Sequence, residues 1–181
     1  MEKRYPHQES GAAYTHTHAG VSTGGQLTHG TGTTDPVAAH GHLVAIKAAD
    51  ETVNNSTVLQ DDNELTLAVE ANTIYKCLVY LRFTSSAVAD FKRAFTVPAG
   101  ATLSLTQLVN AAGADPTAVE IDGTGTAAYS GFGAPIMVWP VVGFLSVAGT
   151  AGSLTLQWAQ NTAEATDTKV LAGSYVELQK A

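Results

Sequence analysis

From residue 43 onward, apolar and polar side chains alternate with a period of two. Leu65, Leu67 and Val69 alternate with polar or small neighbours, which is typical of a strand with one face on a core and the other in water. A longer segment shows the same alternation, and its apolar face consists of Tyr75, Cys77, Val79, Leu81 and Phe83. This segment predicts a long central strand. No segment shows a sustained helical periodicity.

Further strands follow from the same pattern. Alternation marks residues 91–97, 103–105, 126–129, 154–158 and 174–178. The apolar run over residues 136–147 is interrupted by Pro140 and Gly143, and it predicts two strands or one bent strand. A total of about eight or nine strands over residues 43–181 predicts an all-β fold, an antiparallel jelly-roll-like β-sandwich.

One charged residue and one long segment depart from the strand pattern. Arg93 falls on the apolar side of its segment, so it predicts a β-bulge or a rim position from which the guanidinium reaches solvent. Residues 110–135 are rich in Gly, Ala, Asp and Pro, and they predict long surface connections with one short strand near residues 126–129. Loops of this kind commonly carry binding residues.

Composition divides the chain near residue 43. Residues 1–42 contain no Ile, Phe or Trp, and their aliphatic side chains beyond Ala and Met1 are Val21, Leu27 and Val37. Such a segment cannot bury enough apolar area to offset its ordering entropy. We therefore expect an extended His-, Gly- and Thr-rich arm over residues 1–42 and a β-sandwich domain over residues 43–181. We also expect neighbouring copies or other proteins to hold the arm.

The charge balance excludes several classes of partner. The formal net charge is -7, from 9 Lys and Arg against 16 Asp and Glu. Nucleic acids and anionic lipids attract surplus positive charge, so neither nucleic acid nor a membrane is an expected partner. No run approaches the roughly 20 apolar residues that cross a bilayer, and the first residues lack the apolar core of a secretory signal. These features predict synthesis in a cytosol-like compartment.

The single cysteine, Cys77, excludes an internal disulfide and a multi-cysteine metal site. We expect it to be a small residue of the core, because free cysteine behaves as a small hydrophobe. Stability must then come from burial and from contacts with partners.

Three segments resemble structural proteins of tailed bacteriophages. Residues 152–162 and 168–175 resemble the C-terminal strands of those proteins, and residues 54–65 resemble the segment that leads into their first long strand. The resemblance extends over most of residues 50–178 and includes no catalytic signature. It implies a β-sandwich on the outside of a virion, often trimeric, that serves as a capsid decoration protein, head fibre or tail-fibre module. The virion would be assembled in the host bacterial cytoplasm.

The arm contains all six histidines, and four of them form two His-x-His pairs, His16 with His18 and His40 with His42. In an extended chain, residues two apart point to the same side, so each pair could present two imidazoles to one transition metal. The pairs are similar to those of trimeric phage fibres, which meet on a three-fold axis around an octahedral metal. The alternative is a set of neutral histidines that form hydrogen bonds in an arm lying on another protein.

The sandwich domain shows no catalytic constellation. Residues 43–181 contain no histidine, so a Ser-His-Asp or Cys-His site would need a base from the arm. Trp158 is expected in the core, whereas Trp139 is a candidate for a sugar-stacking platform or a subunit contact. A carboxylate pair, a calcium site and solvated turn carboxylates are the alternatives for six acidic residues. These residues are Asp61, Asp62, Glu64, Asp115, Glu120 and Asp122.

The sequence therefore predicts a non-enzymatic virion structural protein without a cofactor, apart from the metal that the histidine pairs would hold. We expect a homotrimer that decorates the capsid, in which residues 1–42 bind the major capsid protein or other virion proteins and stabilise the particle. A tail or tail-fibre component is the next expectation. The competing class is a module that binds host glycans through residues 110–135.

Overall fold

A computed structural model describes residues 41–109, 117–131, 133 and 135–181. These residues belong to the compact unit Pro36–Ala181. They form twelve strands and no helix, and therefore none that is long and apolar enough to cross a membrane. Residues 1–40 lie outside the described part of the chain, and the prediction of an extended arm lies there with them.

The strand bounds follow the alternation of the sequence closely. The strands are β1 (His42–Ile46), β2 (Glu51–Val53), β3 (Gln60–Val69), β4 (Ile74–Thr84), β5 (Phe91–Thr96), β6 (Thr102–Val109), β7 (Thr117–Asp122), β8 (Ala127–Tyr129), β9 (Met137–Ser146), β10 (Gly152–Gln160), β11 (Thr168–Val170) and β12 (Tyr175–Lys180).

The strands pair in two antiparallel sheets. The larger sheet has the order β1-β12-β4-β9-β6-β7, with β11 beside β4 and β2 beside β11, and the smaller sheet has the order β3-β10-β5-β8. Four pairs, β1 with β12, β3 with β10, β4 with β9 and β5 with β8, form one long ribbon folded over itself. Successive pairs of the ribbon alternate between the two sheets, which is the jelly-roll arrangement. The predicted all-β jelly-roll-like β-sandwich is confirmed.

The predicted count of eight or nine strands is wrong, because four strands add to the eight of the jelly-roll ribbon. β2 and β11 have three residues each, too few to show a period of two. β7 lies inside the segment predicted as surface connections and pairs with β6. β8 confirms the short strand predicted near residues 126–129.

The core lies between the two sheets and contains the inward side chains that the alternation predicted. On β4, the inward side chains that are at most 3% exposed are Tyr75, Cys77, Val79, Leu81 and Phe83. Trp158 of β10 is 0% exposed, which confirms its predicted core position. Burial raises the pKa of the Cys77 thiol to about 12, so the thiol stays protonated at neutral pH.

The apolar run over residues 136–147 forms one ten-residue strand, β9. Gly143 allows the backbone of β6 to come close, since a Cβ at this position would lie 1.9 Å from the carbonyl oxygen of Ser104. Pro140 lies opposite Tyr80 of β4, beyond the end of the β9–β6 ladder at Val142. The missing N–H of Pro140 therefore breaks none of the described ladder bonds to β6.

Arg93 is fully buried, so the prediction of a bulge or a solvent-reaching rim position is wrong. Its guanidinium carbon lies 4.3 Å from the centroid of the Trp139 ring. Its Nη atoms donate to the carbonyl oxygen of Gly123 at 3.2 Å and to the hydroxyl of Tyr129 at 3.0 Å. An aromatic face and two oxygen acceptors thus replace water around the Nη atoms, whereas the buried Nε has no hydrogen-bond partner among the described residues.

Trp139 is a core residue and not a sugar-stacking platform or a subunit contact. Its side chain belongs to the buried core, at 7% exposure. The indole Nε1 donates to Gln107 Oε1 at 3.1 Å, and the Tyr129 hydroxyl donates to the same oxygen at 3.0 Å. One amide oxygen of β6 therefore fixes both aromatic side chains beside the buried Arg93.

An irregularity in β3 changes which of its side chains face the core. The ladder between β3 and β10 shifts register, with four residues of β3, 62–65, opposite the single residue Leu156 of β10. Extra residues on one strand form a β-bulge. Leu65 is 1% exposed, which confirms the inward face that its alternation with Leu67 and Val69 predicted, and the bulge turns Asp62 inward as well, to 3% exposure. Asp62 is therefore a buried strand residue and not a solvated turn carboxylate.

Candidate interaction surface

The larger sheet presents an outward face that the smaller sheet does not cover. Antiparallel register aligns its outward side chains in rows across five strands. One row consists of Val44, Glu177, Leu78, Val142 and Thr106. The next row consists of His42, Gln179, Lys76, Phe144 and Ser104. These rows and the outward residues of the same five strands beside them are termed the outer face.

Large apolar side chains are exposed on the outer face. Ile46 is 62% exposed, Val142 and Phe144 are each 56% exposed, and Ile74 is 53% exposed. A depression of about 370 Å³ is lined in part by Leu78, Val142 and Phe144. Single exposed apolar side chains are ordinary, whereas a contiguous group rimmed by polar residues marks an interaction site.

The outer face carries few charges. Three side chains in its two rows can be charged, Lys76, His42 and Glu177, and His42 Nε2 lies 2.8 Å from Glu177 Oε1. Beside the rows, Tyr80 and Tyr175 stack with ring centroids 5.3 Å apart. A surface of this kind can pack against another protein without burying many unpaired charges, which would be costly.

The structure places one of the four predicted metal ligands. His42 lies in β1, the edge strand of the larger sheet, and is exposed. His16, His18 and His40 lie outside the described residues, so the predicted inter-subunit site stays a prediction. Among the described residues, no group of three or more His, Cys, Asp or Glu side chains converges as a metal site.

The acidic residues singled out in the sequence do not gather in one place. Glu120 and Asp122 are exposed on β7, at the opposite edge of the larger sheet from β1, and Asp115 lies outside the described residues. The others are on β3, where Asp61 is exposed and Asp62 is buried. The described residues therefore bring together no calcium site from this set.

Sequence reasoning missed the buried ammonium group of Lys47, whose side chain is 1% exposed. Its Nζ lies 2.7 Å from Glu51 Oε2, 2.9 Å from Asp62 Oδ2, 3.0 Å from Asp62 Oδ1 and 3.5 Å from Glu64 Oε2. Burial alone lowers the pKa of Lys47, but the hydrogen bonds to Glu51 and Asp62 outweigh it and raise the pKa above its ordinary value. The signal in the sequence was that Lys47 continues the inward alternation of β1.

The carboxyl group of Asp62 is held by donors on every side, and its side chain is 0% exposed. Oδ1 accepts the backbone N–H groups of Glu64 at 3.0 Å and Leu65 at 2.9 Å. Oδ2 accepts the indole N–H of Trp158 at 3.1 Å. Lys47, Glu51 and Asp62 are together termed the Lys47 cluster. Charge-assisted hydrogen bonds of this kind fix the carboxyl orientation tightly.

Comparisons with known proteins identify no family. No family model matches the chain, and no curated protein matches it. The tripod (BppUct-A-L) from the baseplate of bacteriophage Tuc2009 is similar at a TM-score of 0.37 and 11% identity, over 96% of this chain and 83% of that chain. The structure of infectious bursal disease virus Gx strain is similar at a TM-score of 0.36 and 11% identity, over 77% of this chain and 33% of that chain. At these values the likeness establishes neither a shared fold nor a shared function.

Proposed function

We propose that the chain is a non-enzymatic structural protein of a phage virion, and that it decorates the capsid exterior as a homotrimer. The observation that carries the proposal is the outer face, with Ile46, Val142 and Phe144 each more than half exposed. An isolated domain gains nothing from such a surface, whereas an assembly protein buries it. The resemblance of residues 152–162 and 168–175 to structural proteins of tailed phages supports the same assignment.

The occupant of the outer face is a second copy of this chain. The face combines apolar side chains, a tyrosine pair and few charges, which is the composition of the buried centre of a subunit interface. Specific interfaces bury roughly 1,200–2,000 Å² in total, an extent that five neighbouring strands of one sheet can supply. Burial of apolar area at about 25 cal/mol per Å² then favours association.

The chain enters the domain at the rim of the outer face, because β1 begins at His42. In this proposal the segment before β1 is therefore attached near the place where neighbouring copies meet. An extended chain advances about 3.3–3.6 Å per residue, which lets such a segment reach across an adjacent subunit. In this proposal residues 1–42 bind neighbouring copies and the major capsid protein, and they add buried area between subunits of the shell.

The oligomeric state of the full chain tests the role of the outer face. Sedimentation velocity is expected to find a trimer for the wild type and a monomer for the double variant Val142→Glu/Phe144→Glu. The matched control is Ala68→Glu, which places one carboxylate on the exposed side of β3 in the smaller sheet, and it should stay trimeric. A monomeric wild type, or a double variant as trimeric as the control, would overturn the assignment.

The location of the protein on the virion tests the proposed capsid-decorating role directly. Labelled protein should bind intact virions over the capsid, and particles that lack it should open at lower temperature than complete particles. Label confined to the tail would replace this proposal with the alternative of a tail or tail-fibre component.

A further inference from the structure

We propose that Lys47 and Asp62 condense to an intramolecular isopeptide bond, with Glu51 as the proton carrier. The bond joins Nζ of Lys47 to Cγ of Asp62 and links the end of β1 to the bulge of β3. The inference goes beyond the proposed function and does not depend on it, because it concerns covalent chemistry inside one chain.

The reacting atoms are already in position. Nζ lies 2.9 Å and 3.0 Å from the two carboxyl oxygens of Asp62. Because both oxygens are bonded to Cγ, Nζ also lies near the distance of about 3–3.5 Å from Cγ at which attack begins. The backbone of Lys47 is fixed as well, since its N–H donates to Ser174 and its carbonyl accepts from Gly173, both at 2.8 Å. Such confinement replaces the entropy loss of a bimolecular encounter.

The surroundings of Asp62 suit the intermediate of amide formation. Attack on Cγ places negative charge on Oδ1, which already accepts the backbone N–H groups of Glu64 and Leu65 at 3.0 Å and 2.9 Å. Two preorganised N–H donors on one oxygen form an oxyanion hole. The other oxygen, Oδ2, accepts from Trp158 and is the oxygen that leaves.

Glu51 is placed to move the protons. Its Oε2 lies 2.7 Å from Nζ, and its side chain is 14% exposed, so it stands between the buried pair and solvent. In the proposal it takes two protons from Nζ in succession and passes both on to Oδ2, which lies 2.9 Å from the same nitrogen and departs as water. The balance is one ammonium and one carboxylate converted to one amide and one water. No oxidant, activated carrier or metal is needed.

The free-energy cost of burying two charges favours the condensation. Two ionised side chains at 1% and 0% exposure are expensive to keep in a low-dielectric interior, and the amide removes both charges. Hydrogen bonds keep Lys47 as an ammonium in the resting pair, so the reactive amine is a minor form. Each chain needs to react only once, so a slow reaction is sufficient.

The mass of the intact full chain is the direct test. Folded, purified protein is expected to weigh one water molecule less than its sequence requires, and digestion should yield one species in which the peptides of Lys47 and Asp62 are linked. A folded wild type of full sequence mass would overturn the proposal. This mass measurement uses the wild type alone, so its result does not depend on whether any variant folds.

Three variants locate the bond. Lys47→Arg should restore the full mass, and Glu51→Gln should form the bond about 100-fold more slowly, the effect of losing a general acid–base group. The matched control is Lys180→Arg, whose exposed ammonium also lies 2.7 Å from a carboxylate, that of Glu70, and it should keep the mass deficit. A deficit that survives Lys47→Arg, such as a succinimide at Asp122, would also overturn the proposal.

Discussion

Replacement of Gly143 by alanine tests the close approach of β9 and β6. The added Cβ would lie 1.9 Å from the carbonyl oxygen of Ser104 and 2.9 Å from Cα of Leu105. Ordinary van der Waals contact begins at 3.4 Å, so the strands must separate by about 1.5 Å, the difference between 3.4 and 1.9. Both clashing atoms are backbone, and no change of rotamer relieves the contact.

Separation of β9 from β6 weakens the ladder of backbone hydrogen bonds that attaches β6 and β7 to the rest of the larger sheet. β6 pairs with β9 from Thr102 opposite Ser146 to Thr106 opposite Val142. Loss of about two backbone hydrogen bonds costs about 1 kcal/mol each, and overpacking adds about 1–3 kcal/mol. The lower entropy of an unfolded chain with alanine offsets about 0.5–1 kcal/mol. The free energy of unfolding should therefore fall by about 2–4.5 kcal/mol, against roughly 5–15 kcal/mol for a typical domain.

Urea unfolding measures this change, because the buried Trp139 and Trp158 report loss of the core by fluorescence. The midpoint should shift while the slope m stays constant, since the exposed area of the unfolded chain is unchanged. Gly149→Ala is the matched control, because its Cβ would meet nothing within 4 Å, and it should change stability by less than about 0.5 kcal/mol. A Gly143→Ala protein as stable as this control would refute the close approach.

Three further predictions follow from buried or candidate groups. Arg93→Met leaves the acceptors on Gly123 and Tyr129 without their donor, so the free energy of unfolding should fall by about 1–3 kcal/mol; a variant no less stable than Lys92→Met would contradict this. Burial raises the pKa of Cys77 from 9.0 to about 12, so the unfolded chain releases this proton first. The contribution of the thiol to stability is then complete below pH 9.0 and is lost as the pH rises toward about 12, and denaturation midpoints of wild type and Cys77→Ala over that range measure the loss. Native protein alkylated at neutral pH as fast as the unfolded chain would argue against this burial. The predicted inter-subunit site at His16, His18, His40 and His42 requires a near-stoichiometric transition metal in the purified assembly, and metal analysis that finds none would remove it.

Most strands could be predicted because burial on one side imposes a period of two. The inward face of β4, from Tyr75 to Phe83, needed no information beyond its own sequence. The same reasoning predicted the inward Leu65 of β3 but missed Asp62, which the bulge places inward three positions before Leu65. A bulge depends on the register with β10, which lies far away in the sequence, so local alternation does not reveal it.

The burial of two charged residues is the second feature that the sequence did not predict, and again because it depends on residues far away in the sequence. A lone charged residue predicts exposure, because desolvation of an unpaired charge is costly. Arg93 and Lys47 are buried because their partners come from other strands, Trp139 from β9 and Asp62 from β3. Both residues carried a usable signal: Arg93 lies on the apolar side of β5, and Lys47 continues the inward alternation of β1 one residue beyond its end. Three of the four predicted metal ligands, His16, His18 and His40, and residues 110–116 of the predicted binding loop lie outside the described part of the chain.

The folded ribbon has a consequence for how the protein is made. Its outermost pair joins the first described strand to the last, with His42 opposite Gln179 and Ile46 opposite Tyr175. β1 thus has no sheet neighbour until the ribosome has delivered β12, and contacts of this separation form slowly. The five strands of the outer face can therefore lie side by side only after β12 has left the ribosome, so a nascent chain that ends before β12 does not yet present the complete outer face.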